Sequence, residues 1–160
     1  MEQVLVGTAT PPVPEPLPQN WASILTGLQS HDPLPSLQDL DHITGKKPQL
    51  LSKVSQHLYN GIGSHNNSTR VLSLNLMLKL LKFDPNVSSE ALPSILSNLE
   101  NRNGEIVENI LNRLPEIVVT MQEYALLILK RVFQLGVNSN LNTGPSISKS
   151  IALLNLQSGC

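Results

Sequence analysis

Arg70 to Phe83, RVLSLNLMLKLLKF, constrains this chain most, because nine of its fourteen residues are apolar and want burial on almost every side. Leu72, Leu74 and Leu76 alternate with Ser73 and Asn75, as they would on a half-buried strand. The alternation fails at Leu76, Met77 and Leu78, whereas the polar positions Asn75, Lys79 and Lys82 fall at i, i+4 and i+7, one narrow helical stripe. Upstream, Asn66, Asn67 and Ser68 are N-cap residue types. Downstream, Asp84-Pro85 ends the run, since proline disfavours a helical conformation in the residue before it. The spacing predicts a helix, and one with so thin a polar stripe needs neighbours on two or three sides.

A chain of 160 residues can supply those neighbours from one sizeable core, and 40% hydrophobic with 14% charged residues fits a folded, soluble protein. With 3% aromatic residues, leucine, isoleucine and valine must fill that core. A net charge of -1, with lysines and arginines clustering no further than the pairs Lys46-Lys47 and Lys130-Arg131, gives no reason to expect nucleic acid. The single cysteine, Cys160, leaves no internal disulfide and fits a reducing compartment. The first residues lack a secretory pattern, and no apolar run approaches the roughly 18 residues of a membrane span. An intracellular protein is expected, with Asn66, Asn67 and Asn86 as loop and cap asparagines rather than glycosylation sites.

Five prolines between Pro11 and Pro18 make residues 1–19 a proline-rich arm, expected to be disordered. Residues 20–45 read as short helices and linker: Trp21, Ile24, Leu25 and Leu28 sit at i, i+3, i+4, i+7, and Leu37, Leu40 and Ile43 suggest a second short helix. Trp21 either packs this segment onto the downstream helices or anchors it in a partner. Residues 46–160 carry regular helical signals. One segment runs from Pro48 to Asn60, with Leu50, Leu51, Val54 and Leu58 inward and a stop at Gly61. The opening stretch is the second. The third, Ser88 to Glu100, is expected to bury Ala91, Leu92, Ile95, Leu96 and Leu99, and the fourth carries Ile106, Val107, Ile110, Leu111 and Leu114 until Pro115 kinks or ends it. A fifth is expected to open at the capping-box pattern Thr120 to Glu123, to close at Gly136 and to be nearly buried through Tyr124 to Leu129. Pro145-Ser146 starts the last, with Ile147, Ile151 and Leu154 on one face.

The expected class is therefore all-α. Starts near 48 and 88 give a period of about 40 residues, the length of HEAT-type units. Leu92-Pro93-Ser94-Ile95-Leu96 followed by Ile106-Val107 resembles a HEAT unit, with departures at Glu108, where arginine is usual, and Ile110, where alanine is frequent. Antiparallel HEAT-like helical repeats forming a short α-solenoid are expected; a compact non-repeating bundle is the alternative.

Chemistry is not written in the sequence. His31, His42, His57 and His65 are not spaced as zinc ligands. No nucleophile elbow or phosphate loop is present, and Gly61-Ile62-Gly63 is too short to cradle a phosphate. Glu105, Glu108, Glu116 and Glu123 fall on polar faces. The reading is non-enzymatic, without catalytic residue, metal, cofactor or small-molecule substrate. What remains is binding surface. The last helix keeps Leu153, Leu154 and Leu156 close to its end and makes a poor cap, so another chain is expected to close it. Tyr124, Arg131 and Phe133, with Ile151 and Leu154, are the candidate partner-binding residues, since aromatics and arginine are common anchors.

The run LNRLPEIVVTMQEYALLILKRVFQLG from Leu111, followed by SISKSIALLNLQ, resembles the C-terminal region of the Integrator subunit 1 family, the largest subunits of the Integrator complex. The marks are Leu114-Pro115-Glu116, Gln122-Glu123, Arg131 with Phe133, and the helix from Ile147-Ser148 to Leu154; residues 1–45 carry none. The resemblance implies a small piece of a very large scaffold. It would be a nuclear protein of an assembly that processes small nuclear RNA 3′ ends and attenuates transcription by RNA polymerase II, with cleavage left to other subunits. Expected partners are the PHD-finger subunit (subunit 12) and the other helical scaffold subunits. The alternative is a cytosolic helical adaptor that binds short peptides in trafficking or signalling.

Overall fold

A computed structural model describes residues 17–139 and 142–157. The expected disordered arm therefore lies, up to residue 16, outside the described residues. Among these the fold is all-α, without strands. Its helices are α1 (Trp21–Leu28), α2 (Leu34–Thr44), α3 (Ser55–Ile62), α4 (Asn67–Phe83), α5 (Ser88–Leu99), α6 (Gly104–Asn112), α7 (Leu114–Thr120), α8 (Ala125–Ser139) and α9 (Gly144–Gln157). Short 3-10 turns at Pro48–Val54, Pro85–Val87 and Gln122–Tyr124 lead into α3, α5 and α8.

The leucine-rich stretch is a helix, and it sits at the centre. The Asn66 side chain accepts from the Thr69 amide to start α4, and Asp84 closes it. Leu76 and Leu80 of α4 pack with Trp21, Leu37, Leu51 and Leu58 in one core cluster. Leu74, Met77, Leu78 and Leu81 pack with Ile95, Ile110, Leu114, Ile117 and Val118 in the other. One helix thus divides and joins two cores, which is why its polar stripe is so thin. Even the stripe is used. Lys79 Nζ reaches Asp41 of α2 at 3.0 Å, Lys82 Nζ reaches Glu116 of α7 at 2.7 Å, and Arg113 donates to the Asn75 side chain. Trp21, 6% exposed, packs within the fold.

Glu116 also receives Arg113 Nη2 at 2.7 Å. Burial alone would raise its carboxyl, but hydrogen bonds from Lys82 and Arg113 and their charges outweigh burial and hold it below the ordinary 4.5. A depressed carboxyl adds stability that is fully present above its unfolded value and lost as pH falls through its folded one. We therefore predict that Glu116→Gln makes the loss of stability below about pH 4.5 shallower, by under about 1 kcal/mol, a loss of the size usual for a partly exposed ion pair. Urea denaturation of both forms across pH 3 to 7 measures it, and identical pH curves would contradict it.

Arg70 is the largest buried charge. Nη1 donates to the Ser64 and His65 carbonyls at 3.0 and 3.2 Å, and Nη2 to Asn67 Oδ1 at 3.0 Å, with Glu105 at 3.5 Å. It binds the α3–α4 turn to the start of α6, and Asn109 donates back to its carbonyl. Its role is structural, since the side chain is shut off from solvent and both terminal nitrogens donate to oxygens of the chain itself, with Nε left buried and unpaired.

Three sequence expectations are corrected. Gly61 and Gly136 do not stop helices; each lies inside one, Gly61 facing Ser73 of α4 and Gly136 facing Thr143 just before α9. A Cβ at residue 61 would stand 2.7 Å from Ser73 Cβ and closer to its Oγ, and one at residue 136 would stand 3.3 Å from Thr143 Cβ. Gly27 meets Ser36 in the same way between α1 and α2. The missing side chains allow close approach of α1 to α2, of α3 to α4, and of α8 to the residue that leads into α9. Second, the fourth segment does end, but at Asn112 and before Pro115, which sits in the first turn of a separate helix, α7, where its missing N–H costs nothing. Third, Thr120 ends α7 rather than capping the next helix, because Met121 at φ -111 and ψ 49 breaks the helical path. Gly61→Ala is predicted to cost about 1 to 3 kcal/mol through overpacking. Adding Ser73→Gly should recover part of the loss in urea denaturation; a double variant no more stable than Gly61→Ala alone would place the clash elsewhere.

Candidate interaction surface

The fold alternates. α2 neighbours α4, α4 neighbours α6 and α7, and α7 neighbours α9, while α3 neighbours α5 and α5 neighbours α8. Polar contacts between helices of successive units recur at similar sequence separations. Ser55 with Glu90, Ser94 with the Tyr59 carbonyl, Arg70 with Glu105 and Ser146 with the Leu111 carbonyl are each 35 residues apart. In this order α8 and α9 are the last helices of their rows.

The buried side of α8 is Ala125, Ile128, Leu129 and Val132. The expectation of a nearly buried helix fails on its other side. Leu126 is 83% exposed, Leu127 43%, Phe133 61% and Val137 67%. Leu126, Lys130, Phe133 and Val137 stand at i, i+4, i+7 and i+11, a single stripe along α8. An apolar run as long as Tyr124 to Leu129 wraps around a helix, so part of it must face away from the core unless further helices cover it. On α9, Ile147 and Leu154 pack on the main core and Ser150 is buried, while Ile151 and Leu156 are exposed.

The candidate residues are therefore placed differently from one another. Phe133 and Ile151 lie on the surface. Tyr124, at the end of the 3-10 turn before α8, and Leu154 lean half-buried against the core. Arg131 donates to Glu100 Oε2, just past the end of α5, at 2.7 Å and lines a cleft between α5 and α8 with Leu99, Gln134 and Asn138. Sequence reasoning missed Leu126 and Val137, the first because it sits inside an apolar run and the second because Gly136 has the look of a helix end. The two-faced spacing of 126, 130, 133 and 137 against 125, 128, 129 and 132 was the available signal.

The opposite end is polar. Ser23 and Thr26 of α1 line its outward side, and Gln38, Asp39 and His42 line that of α2. Among the clefts of the described surface, four are each lined by a single carboxylate or histidine: Glu90, His57, Glu100 or Glu123. No group of three metal-ligating side chains occurs among the described residues, and no described helix is long and apolar enough to cross a membrane.

Comparison with known proteins agrees with the resemblance carried by the C-terminal run, and extends it to α1 and α2, where the sequence carries no marks of its own. The family described as Integrator complex subunit 1, R4 domain, matches residues 21–122, from the first residue of α1 to the turn before α8. Integrator complex subunit 1 of Mus musculus is 28% identical over 154 residues, covering 96% of this chain and 7% of the relative. The Homo sapiens protein is 28% identical over 131 residues, covering 82% and 6%, and the Drosophila melanogaster protein 30% over 126 residues, covering 77% and 6%. The chain thus spans only 6 to 7% of the length of these relatives. With a match over most of its helices, the chain belongs to the Integrator complex subunit 1 family.

Proposed function

We propose that this chain is a non-catalytic protein–protein interaction scaffold within the Integrator complex, built as a HEAT-like stack of helical hairpins that is open at its α8–α9 end. The observation that carries the proposal is the apolar stripe of α8. Side chains such as Leu126 and Phe133 gain little from water and much from a partner, and contiguous exposed apolar surface of this kind marks interaction sites. The stacked reading is supported by the alternating neighbours and by the 35-residue separations, because a repeat unit touches its successor through equivalent positions. The polar outward side of α1 and α2 suits a capping unit, whereas the outward side of α8 exposes Leu126, Phe133 and Val137 beside Lys130. In this reading residues 20–45 supply the leading helices and 46–160 the rest of the stack.

The partners are other protein subunits of the Integrator complex, the PHD-finger subunit and the helical scaffold subunits among them. Holding them is the chain's contribution to small nuclear RNA 3′-end processing and to attenuation of RNA polymerase II transcription, in the nucleus. Phe133 and Ile151 are the proposed direct anchors, with Leu126 and Val137 beside Phe133. Arg131 contributes at the rim, and Tyr124 and Leu154 support the helices from the core side. Purification of the tagged chain from nuclear extract, with mass spectrometry of what accompanies it, tests the proposal. Integrator subunits are the expected companions, and their absence from a folded, recovered chain would overturn it.

A further inference from the structure

A second surface lies away from the α8 stripe, between α3 and α5. It is a cleft of about 470 Å³ whose walls include Gln56, Tyr59 and Asn60 on one side and Glu90, Ser97 and Asn98 on the other. Its only charge is the Glu90 carboxylate. Glu90 Oε1 accepts from Ser55 Oγ at 3.0 Å and Gln56 Nε2 at 3.3 Å, but no lysine or arginine among the described residues pairs with it. Asn98 Nδ2 is spent on the Ser94 carbonyl at 2.8 Å, which leaves its Oδ1 as an acceptor near Gly63. Tyr59 is 6% exposed, and its hydroxyl oxygen is buried close to Ser55 and Glu90 without a well-formed hydrogen bond to either. Burial, and after it the Glu90 carboxylate, push the phenol up to about 12, so it is neutral at physiological pH. The cleft therefore gathers acceptors around one unpaired negative charge.

The neighbouring cleft, between α5 and α8, shows how this fold fills such a groove. It is similar in size, about 450 Å³, and is also lined by one carboxylate, Glu100. There the chain provides its own guanidinium: Arg131 reaches across from α8 and donates to Glu100 at 2.7 Å. Between α3 and α5 the helices bring serine, asparagine and glutamine where that arginine would come from.

We propose that the α3–α5 cleft binds an arginine side chain of a protein partner, its guanidinium donating to Glu90 and to the side-chain amide oxygens around it. A planar cation with five donors suits a wall of acceptors better than an ammonium does, because its fork can reach the carboxylate and a neighbouring oxygen together. The proposal concerns a different face from α8 and is independent of the identity of the Integrator partners.

Titration of the ¹⁵N-labelled chain with the capped peptide acetyl-Gly-Arg-Gly-amide, followed by amide chemical shifts, tests it. Saturable shifts are expected at Tyr59, Asn60, Gly63 and Asn98. The citrulline peptide, of the same shape without the charge, should bind at least about tenfold more weakly, as should the arginine peptide to Glu90→Gln. Ser97→Arg, which places a cation in the groove from its rim, should abolish the shifts while the remaining spectrum stays that of the folded protein. Arginine amide lacking the flanking peptide should bind more weakly than the capped peptide; equal affinity would assign the cleft to a free small cation instead and overturn the protein partner. Equal shifts with citrulline, or unchanged binding by Ser97→Arg, would overturn the site.

Discussion

Replacing Leu78 with aspartate is expected to abolish the cooperative thermal transition of this chain. Leu78 is 1% exposed in the middle of α4, among Leu74, Leu81 and the α5 and α6 residues of the main core. Burying an unpaired carboxylate costs at least several kcal/mol, and the transfer energy of the lost leucine adds roughly 2 kcal/mol more. Single domains hold about 5 to 15 kcal/mol of net stability, so this one change consumes most of it. Because α4 joins both clusters, the loss should spread to α1 and α2 as well as to the C-terminal helices. Leu127→Asp provides the contrast. Its place in an unbroken apolar run suggests equal damage, but Leu127 is 43% exposed, and its substitution should shift stability by less than about 1 kcal/mol. Circular dichroism melts of the two variants beside the wild type decide the matter. Comparable melting of Leu78→Asp and wild type would remove α4 from the centre of the fold.

The contrast between Leu78 and Leu127 also shows what the sequence could and could not express. Along α4 and α6 the apolar positions repeat at helical spacing, and polar residues mark the side that is left over. Ile106, Val107, Ile110 and Leu111 were therefore readable as buried, and they are. In Tyr124 to Leu129 every position is apolar, so periodicity names no inward side. Which side is covered depends on neighbours, and α8 has helices on one side only. Glycines mislead for a related reason. Gly61 carries the local signature of a helix end, but its use is to let Ser73 of α4 come close, and that contact depends on a residue twelve positions later in another helix. The capping-box pattern at Thr120 failed because the Met121 backbone leaves the helical path there, with a 3-10 turn intervening before α8. The candidate surface was half legible. Phe133 and Ile151 stand out for being aromatic or near the chain end, whereas Leu126 and Val137 emerge only once the helix has a place in the stack.

The second large effect concerns binding rather than stability. Leu126, Phe133 and Val137 lie on one stripe of α8 and contribute little to the core, so changing all three to glutamate should leave the melting temperature within a few degrees of wild type. The same change replaces an apolar stripe by three charges, each of which a partner would have to desolvate on contact. Losses of more than 2 kcal/mol per central anchor are usual at such interfaces, enough together to lower affinity by at least about a hundredfold. Glu→Lys exchanges elsewhere on the surface, such as Glu108→Lys at an exposed position of α6, should have no comparable effect.

The most direct measurement is therefore quantitative co-purification of Integrator subunits with the wild-type chain and with the variant carrying Leu126→Glu, Phe133→Glu and Val137→Glu, each checked for folding by its melting curve. The expected result is recovery of the subunits with the wild type and their loss with an equally stable variant. Undiminished recovery with the folded variant would contradict the assignment of the α8 face as the site where this scaffold holds its partners.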